Sequence, residues 1–266
     1  MTVVQINATC SSGSTGKIVL AVSRLLCENG VENYILYSHG NDCGDNTVRF
    51  MKEREGKIQA LVSRILGNYG FNARAATKRV IRELDRIKPD IVHLHNLHTH
   101  DLHMGMLFRY FKKKKTKLYW TFHDCWAFTA YCPYFDLAEC ENWKSGCRAC
   151  PQRKQFSWFF DRSRGLYQRK KELFSGLDLT IITPSEWLAD LVSQSFLAGY
   201  PVKVINNGID LDTFRPIESD FRKKHGLEDK FVLLGVAFGW GKRKGLDVFE
   251  TLAKRLDDRF RIVLVG

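Results

Sequence analysis

Val80-Ile81-Arg82-Glu83-Leu84-Asp85-Arg86-Ile87-Lys88-Pro89-Asp90-Ile91-Val92-His93-Leu94-His95-Asn96 is the stretch that decides the fold class. Val80, Ile81, Leu84 and Ile87 recur at helical spacing, Pro89 stops the helix, and Ile91 to His95 reads as a buried strand. Working outward, Val3 to Asn7 is a strand, Ile18 to Cys27 a helix with Ile18, Val22, Leu25 and Leu26 on one face, and Tyr34 to Tyr37 a second strand after Gly30. Downstream come strand Leu118 to Phe122, a helix around Leu166 to Phe174, and strand Leu179 to Thr183. Pro184-Ser185 then caps a helix through Val192, and Val202 to Ile205 is a further strand. Parallel strands need crossovers, and the crossovers cover both faces of the sheet. The expected class is therefore α/β: a Rossmann-like, doubly wound parallel sheet over residues 1–205, interrupted by a cysteine-rich insertion at 125–151.

Past Pro216 the pattern restarts with a polar helix near Asp220 to His225, strand Phe231 to Ala237, helix Leu246 to Leu256 and strand Arg261 to Val265. One strand-helix-strand cannot bury both faces of a sheet. Residues 206–266 are thus expected to be a linker and the beginning of a second, incomplete Rossmann-like domain.

The 266 residues, 44% hydrophobic and 26% charged, suit a globular protein with a real core. No apolar run approaches the roughly 20 residues of a membrane helix, and Met1 to Ile6 reads as a strand with none of a signal peptide's basic start, so a cytoplasmic location is expected. A net charge of +12 favours polyanionic partners without choosing among nucleic acid, lipid and phosphorylated metabolites. Lys112 to Lys115 with Lys117 fits either a solvated helix end or a membrane-facing patch. Arg74, Lys78, Arg79, Arg82 and Arg86 along one helix carry the same two readings, the second being an anionic inner-leaflet surface.

In doubly wound sheets, ligands bind beyond the carboxyl ends of the strands. Those ends are Cys10 to Lys17, His95 to His98, His123-Asp124, Pro184-Ser185 and Asn206 to Asp210. Ser11-Ser12-Gly13-Ser14-Thr15-Gly16-Lys17 puts small residues at a helix start, where backbone N–H groups can meet a phosphate or sugar; a plain tight turn is the alternative. A P-loop would need glycine where Ser11 stands and Ser or Thr where Ile18 stands, and the dinucleotide fingerprint keeps only Gly13 and Gly16. His93, His95, His98, His100 and His103 crowd together without a carboxylate or cysteine at metal-ligand spacing. His95 and Asn96 suit hydrogen bonds to sugar hydroxyls instead, as do His123 and Asp124. Cys132, Cys140, Cys147 and Cys150 offer four thiols, one pair at the two-residue spacing of tetrahedral zinc sites. A structural zinc and a set of reduced, partly buried thiols are the two readings.

Taken in order, Pro89-Asp90-Ile91-Val92-His93-Leu94-His95-Asn96, Thr121-Phe122-His123-Asp124-Cys125-Trp126, Thr183-Pro184-Ser185-Glu186-Trp187-Leu188, Ile205-Asn206-Asn207-Gly208-Ile209-Asp210 and Arg243-Lys244-Gly245-Leu246 resemble the family 4 glycosyltransferases of GT-B fold, particularly those of bacterial exopolysaccharide and colanic-acid-type clusters. The resemblance implies an acceptor-side first domain, a donor-side second domain, and retaining transfer from a UDP- or GDP-sugar to a lipid-linked or oligosaccharide acceptor. It implies no catalytic metal. Under it, His123 contacts the transferring sugar, Arg243 and Lys244 neutralise the departing diphosphate, and Gly13, Ser14, Thr15, Gly16, Asn207 and Gly208 approach the donor. His95, Asn96, Asp124 and Ser185 line the acceptor side. The basic turn, Phe238-Gly239-Trp240-Gly241-Lys242, is shorter than the family's, and the family's paired glutamates lie further along than Gly266. Two other classes are conceivable from the same residues: a P-loop-like nucleotide hydrolase, and a basic zinc module binding nucleic acid. The motif set disfavours both, and nucleic acid is not an expected partner.

Overall fold

The computed structural model describes residues 1–98 and 100–266. It divides into two compact units, Met1–Gly208 and Ile209–Gly266. The first unit opens with β1 (Thr2–Thr9), α1 (Gly13–Glu28), β2 (Glu32–His39), β3 (Thr47–Arg49), α2 (Glu53–Leu66), α3 (Arg74–Ile87) and β4 (Ile91–Leu94). It continues with α4 (Met104–Lys114) and β5 (Lys117–Thr121), an insertion holding the one-turn helix α5 (Asn142–Ser145), then the one-turn helix α6 (Arg153–Phe156), α7 (Ser163–Phe174), β6 (Leu179–Thr183), α8 (Glu186–Ser193) and β7 (Val202–Val204).

All seven strands run parallel in the order β3-β2-β1-β4-β5-β6-β7. The chain leaves β1 toward one edge and returns on its other side as β4, so the switch point lies between β1 and β4. There the crossovers diverge and open a crevice at the carboxyl ends. Central strands are covered on both faces and read as continuous apolar runs, as Val3, Val4 and Ile6 show. Gln5 and Asn7 break that run, although both are fully buried. A buried amide needs partners, and theirs lie in the site.

The helices end where their sequences dictate. In α3, Ala76, Thr77, Val80 and Leu84 face the core, and Lys88 caps the helix in the left-handed region ahead of Pro89. Its basic residues do not form one free stripe, because Arg79 turns inward, pairs with Glu55 and donates to the Phe50 carbonyl at 2.6 Å. The lysine run forms the exposed last turn of α4, where cations meet the helix dipole's negative end. Phe108 packs at ring-centroid distances of 5.5 Å on Trp120 and 4.4 Å on Phe174, tying α4, β5 and α7 together. Such pairs contribute about 1 kcal/mol each beyond the area they bury.

The second unit contains α9 (Phe221–Lys224), β8 (Phe231–Val236), α10 (Leu246–Arg255) and β9 (Phe260–Val265). β8 and β9 pair in parallel over six residues. Phe231, Leu234, Val236, Leu264 and Val265 remain exposed on this two-stranded sheet. Among the described residues, no helix is long and apolar enough to cross a membrane.

Candidate active site

The carboxyl ends of β1, β4, β5 and β6 place the Gly13 turn, His95-Asn96, His123-Asp124 and Ser185 along one edge of the sheet, in that order. The main-chain N–H of His95 extends the ladder by donating to Ile6 O at 3.0 Å, and the N–H of Asn96 donates to Asn7 Oδ1 at 3.0 Å. Beside them, Trp120 Nε1 donates to the His95 carbonyl at 2.9 Å, so the aromatic core anchors the strand end.

Hydrogen bonding fixes the imidazole tautomers. Gln5 Nε2 donates to Val19 O at 3.2 Å, which leaves Gln5 Oε1 facing His95 Nε2 at 3.2 Å. An amide oxygen only accepts, so His95 carries its proton on Nε2 and presents a lone pair at Nδ1. That lone pair faces His123 Nε2 at 3.3 Å, and His123 must donate to it. The chain of donors therefore runs from His123 through His95 and Gln5 to the backbone, leaving His123 Nδ1 as an acceptor.

Electrostatics keeps this chain neutral. Burial pushes His95 well below its ordinary value, with His93 and His123 adding to the effect. His123 is also lowered, mainly by burial, with Asp124 opposing. His93 is pushed down to about 4 by burial and then by His123; its Nε2 lies 2.8 Å from Thr121 Oγ1. His98 behaves in the opposite way. Burial disfavours its charged form, but the hydrogen bond and charge of Asp124, 2.9 Å away, outweigh burial and raise its pKa. The site thus sets a histidine pair held toward neutrality beside a histidine–carboxylate pair held toward charge, around a cavity of about 10 Å³. Divergent environments of this kind separate hydrogen-bonding from electrostatic roles.

At the β1 end, Gly13 has φ +68°, and a Cβ on Gly16 would lie 2.7 Å from Thr9 Oγ1. Only glycine lets α1 start this close to β1. The Ser12 side chain makes no capping bond, so N–H groups of the first turn remain for an anion. Ser14 is exposed and Thr15 half-buried in that turn.

Other expected residues are placed differently. Ser185 Oγ accepts from Leu188 N at 3.3 Å, which commits it to capping α8. Asn207 and Gly208 are exposed beyond β7, four strand spacings from β1 and so on the order of 20 Å from the Gly13 turn. Arg243 and Lys244 sit in the exposed turn Lys242–Lys244 of the second unit, before Gly245 at φ +76°. The histidine run disperses. His103 caps α4 by accepting from Met106 N at 3.2 Å, and His100 packs edge-on against Tyr69. Sequence reading missed Gln5, and it missed His39, the last residue of β2, which meets buried Asp101 at 3.0 Å. Neither partner is near in sequence, so neither pairing leaves a local motif.

The insertion brings Cys132, Cys140, Cys147 and Cys150 to one cavity of about 20 Å³. All eight cysteines are free thiols. Burial raises Cys132, Cys147 and Cys150 to about 11. Among the described residues, no three His, Cys, Asp or Glu side chains stand ready-arranged around a metal.

Comparisons agree with this architecture. Glycosyltransferase Family 4 matches residues 15–213. A protein of Escherichia coli (strain K12) described as a colanic acid biosynthesis glycosyl transferase, WcaC, is 26% identical over 80% of this chain and 56% of its own. The chain therefore spans little more than half the length of that relative. Sucrose-phosphate synthase from Thermosynechococcus elongatus superposes with TM-score 0.64 at 13% identity, over 100% of this chain and 62% of its own. Anabaena HepE, solved in complex with UDP-glucose, gives 0.59 at 13% identity over 100% and 60%. Both share the fold. With its parallel sheet, its switch-point edge and a family match across most of its length, the chain belongs to glycosyltransferase family 4.

Proposed function

We propose that this protein transfers a sugar from a UDP- or GDP-sugar to a lipid-linked or oligosaccharide acceptor in cell-surface polysaccharide synthesis, with retention of configuration. The observation that carries the reading is the oriented, neutral His95–His123 pair at the switch-point edge of a family 4 chain. His123 Nδ1 is an acceptor matched to a hydroxyl of the transferring sugar, and a neutral imidazole holds that hydroxyl without competing as a charge. The first turn of α1, from Gly13 to Gly16, meets the donor phosphate through its N–H groups. His95, Asn96, Asp124 and Ser185 belong to the acceptor side, Ser185 through the helix start it caps. Arg243 and Lys244 balance the charge that builds on the departing diphosphate. Fixed groups of that kind typically lower a barrier by about 3 kcal/mol each. Work at the inner face of the membrane fits the basic surface, including Arg74, Lys78, Arg82 and Arg86. The relative WcaC supports the pathway class, and HepE's UDP-glucose supports the donor class.

Incubating the chain with membranes and a panel of radiolabelled UDP- and GDP-sugars should move label into lipid-extractable or polysaccharide material. His123→Ala should slow that transfer about 100-fold. Transfer at full rate in the variant would remove His123 from the mechanism, and no transfer from any donor would overturn the reading.

A further inference from the structure

We propose that Cys132, Cys140, Cys147 and Cys150 bind one structural zinc ion, which fastens the insertion behind the loop carrying His123 and Asp124. Four thiols from different turns line a single cavity of about 20 Å³, room for one occupant the size of a water molecule. Much of the remaining wall is Ala130, Tyr131, Phe135 and Trp143, so no carboxylate or imidazole competes there as a ligand. An all-thiol donor set selects soft or borderline ions over magnesium or calcium.

The backbone is bent where such a site needs it. Of the four non-glycine residues at positive φ among those described, two are Glu139 at +47° and Ala149 at +44°, and each immediately precedes a cysteine of the cluster. L side chains adopt that conformation at a cost, which persists only where the surroundings enforce it. Cys147-Arg148-Ala149-Cys150 thereby turns two thiols toward one cavity at the two-residue spacing.

A second observation is independent of the cysteines. Lys170 is completely buried, donates to the carbonyls of Trp126 at 2.7 Å and Thr129 at 3.0 Å, and lies 3.3 Å from the Trp126 ring centroid. These partners satisfy its donors but carry no charge, and no carboxylate among the described residues comes within ion-pair distance. Burial pushes Lys170 well below the ordinary lysine value, and an anion close by would favour its charged form. Zinc closes the account chemically: Zn²⁺ and four Cys–SH give a tetrathiolate complex of net charge −2 and release four protons to solvent. The anion would stand near Lys170, where Cys147, Cys132 and Asp124 already act to favour its charged form. Ion binding would rotate the thiols inward to Zn–S bonds of about 2.3 Å.

The consequence reaches the active site. Thr129 Oγ1 donates to Cys132 O at 2.6 Å, Lys170 holds the Trp126 carbonyl, and the Trp126 N–H donates to Asp124 Oδ1 at 2.9 Å. A metal at the cysteines would stiffen that path.

The test is metal content of the full chain purified under reducing conditions and dialysed against a weak chelator. About one zinc per chain is expected, falling to near zero in Cys147→Ser and Cys150→Ser and unchanged in Cys27→Ser, which alters an exposed thiol outside the cluster. Because the serine variants could fail to fold, the wild-type chain provides a second readout. A strong chelator should expose four additional thiols to a chromogenic disulfide reagent and lower the melting temperature, and added zinc should reverse both. Absence of zinc together with no uptake of added zinc would overturn the proposal. So would a mass-mapped disulfide within the cluster, or zinc retained by both serine variants.

Discussion

The two units differ in how their polar residues are supported. In the first, Gln5, His95 and His123 are held by a seven-stranded sheet covered on both faces, with Trp120 and Phe108 packed beneath them. In the second, Arg243 and Lys244 ride on the exposed turn between β8 and α10. The contrast shows where orientation comes from. Neutral hydrogen-bonding groups need a buried scaffold to fix their tautomers. Groups that act through charge alone tolerate a looser one, since Coulomb interactions depend weakly on angle.

The largest expected effect is in local stability. Native-state hydrogen exchange should find β1, β4 and β5 amides protected to the global limit, with β8 and β9 amides opening more easily by on the order of 5 kcal/mol. Equal protection in both units would erase the contrast.

Acid should separate them next. His93 is pushed from its ordinary 6.5 to about 4, and His95 and His123 move the same way, chiefly by burial. The unfolded chain takes up these protons below 6.5 while the folded chain refuses them. Stability is therefore complete above that value and lost as pH falls toward 4, by roughly 3 kcal/mol for His93 alone. Denaturant melts of the first unit at pH 7 and pH 4.5 check this, and a flat profile would contradict the burial argument.

A smaller loss should follow Gln5→Leu. It leaves the His95 Nε2–H buried without its acceptor, at about 1–3 kcal/mol, and frees His95 to change tautomer. Chemical denaturation measures the first effect, and transfer activity should fall with the second. The smallest effect is opposite in sign to the acid effect. His98 is raised by Asp124, so the pair's contribution is present below 6.5 and lost as pH rises through the folded value. In Asp124→Asn that alkaline decline should vanish.

Much of this was legible in the sequence. Ile91 to His95 and Leu179 to Thr183 are short apolar runs bounded by Pro or turn residues, and the rule that ligands gather at strand ends led to His95 and His123. β3 was not legible, being three residues without a buried face. Neither was α2, whose Ile58, Leu61 and Ile65 are exposed and give no core-facing stripe. The supports of the site escaped for a different reason. Gln5 meets His95 across 90 residues, and Lys170 meets Trp126 across 44. Such pairings exist only once the sheet has assembled. Ser185 was read as both a helix cap and a cleft residue, and its hydroxyl serves the cap.

The central claim is that a directed hydrogen-bond chain leaves His123 Nδ1 free to accept from the sugar. Nitrogen NMR of the imidazoles at pH 7, in a chain with ¹⁵N-labelled histidine, tests it. The account predicts that His95 and His123 are both neutral Nε2–H tautomers, and that a UDP- or GDP-sugar shifts the His123 Nδ1 resonance in the direction of an accepted hydrogen bond. A protonated or Nδ1–H His123, or a resonance that no nucleotide-sugar moves, would contradict it.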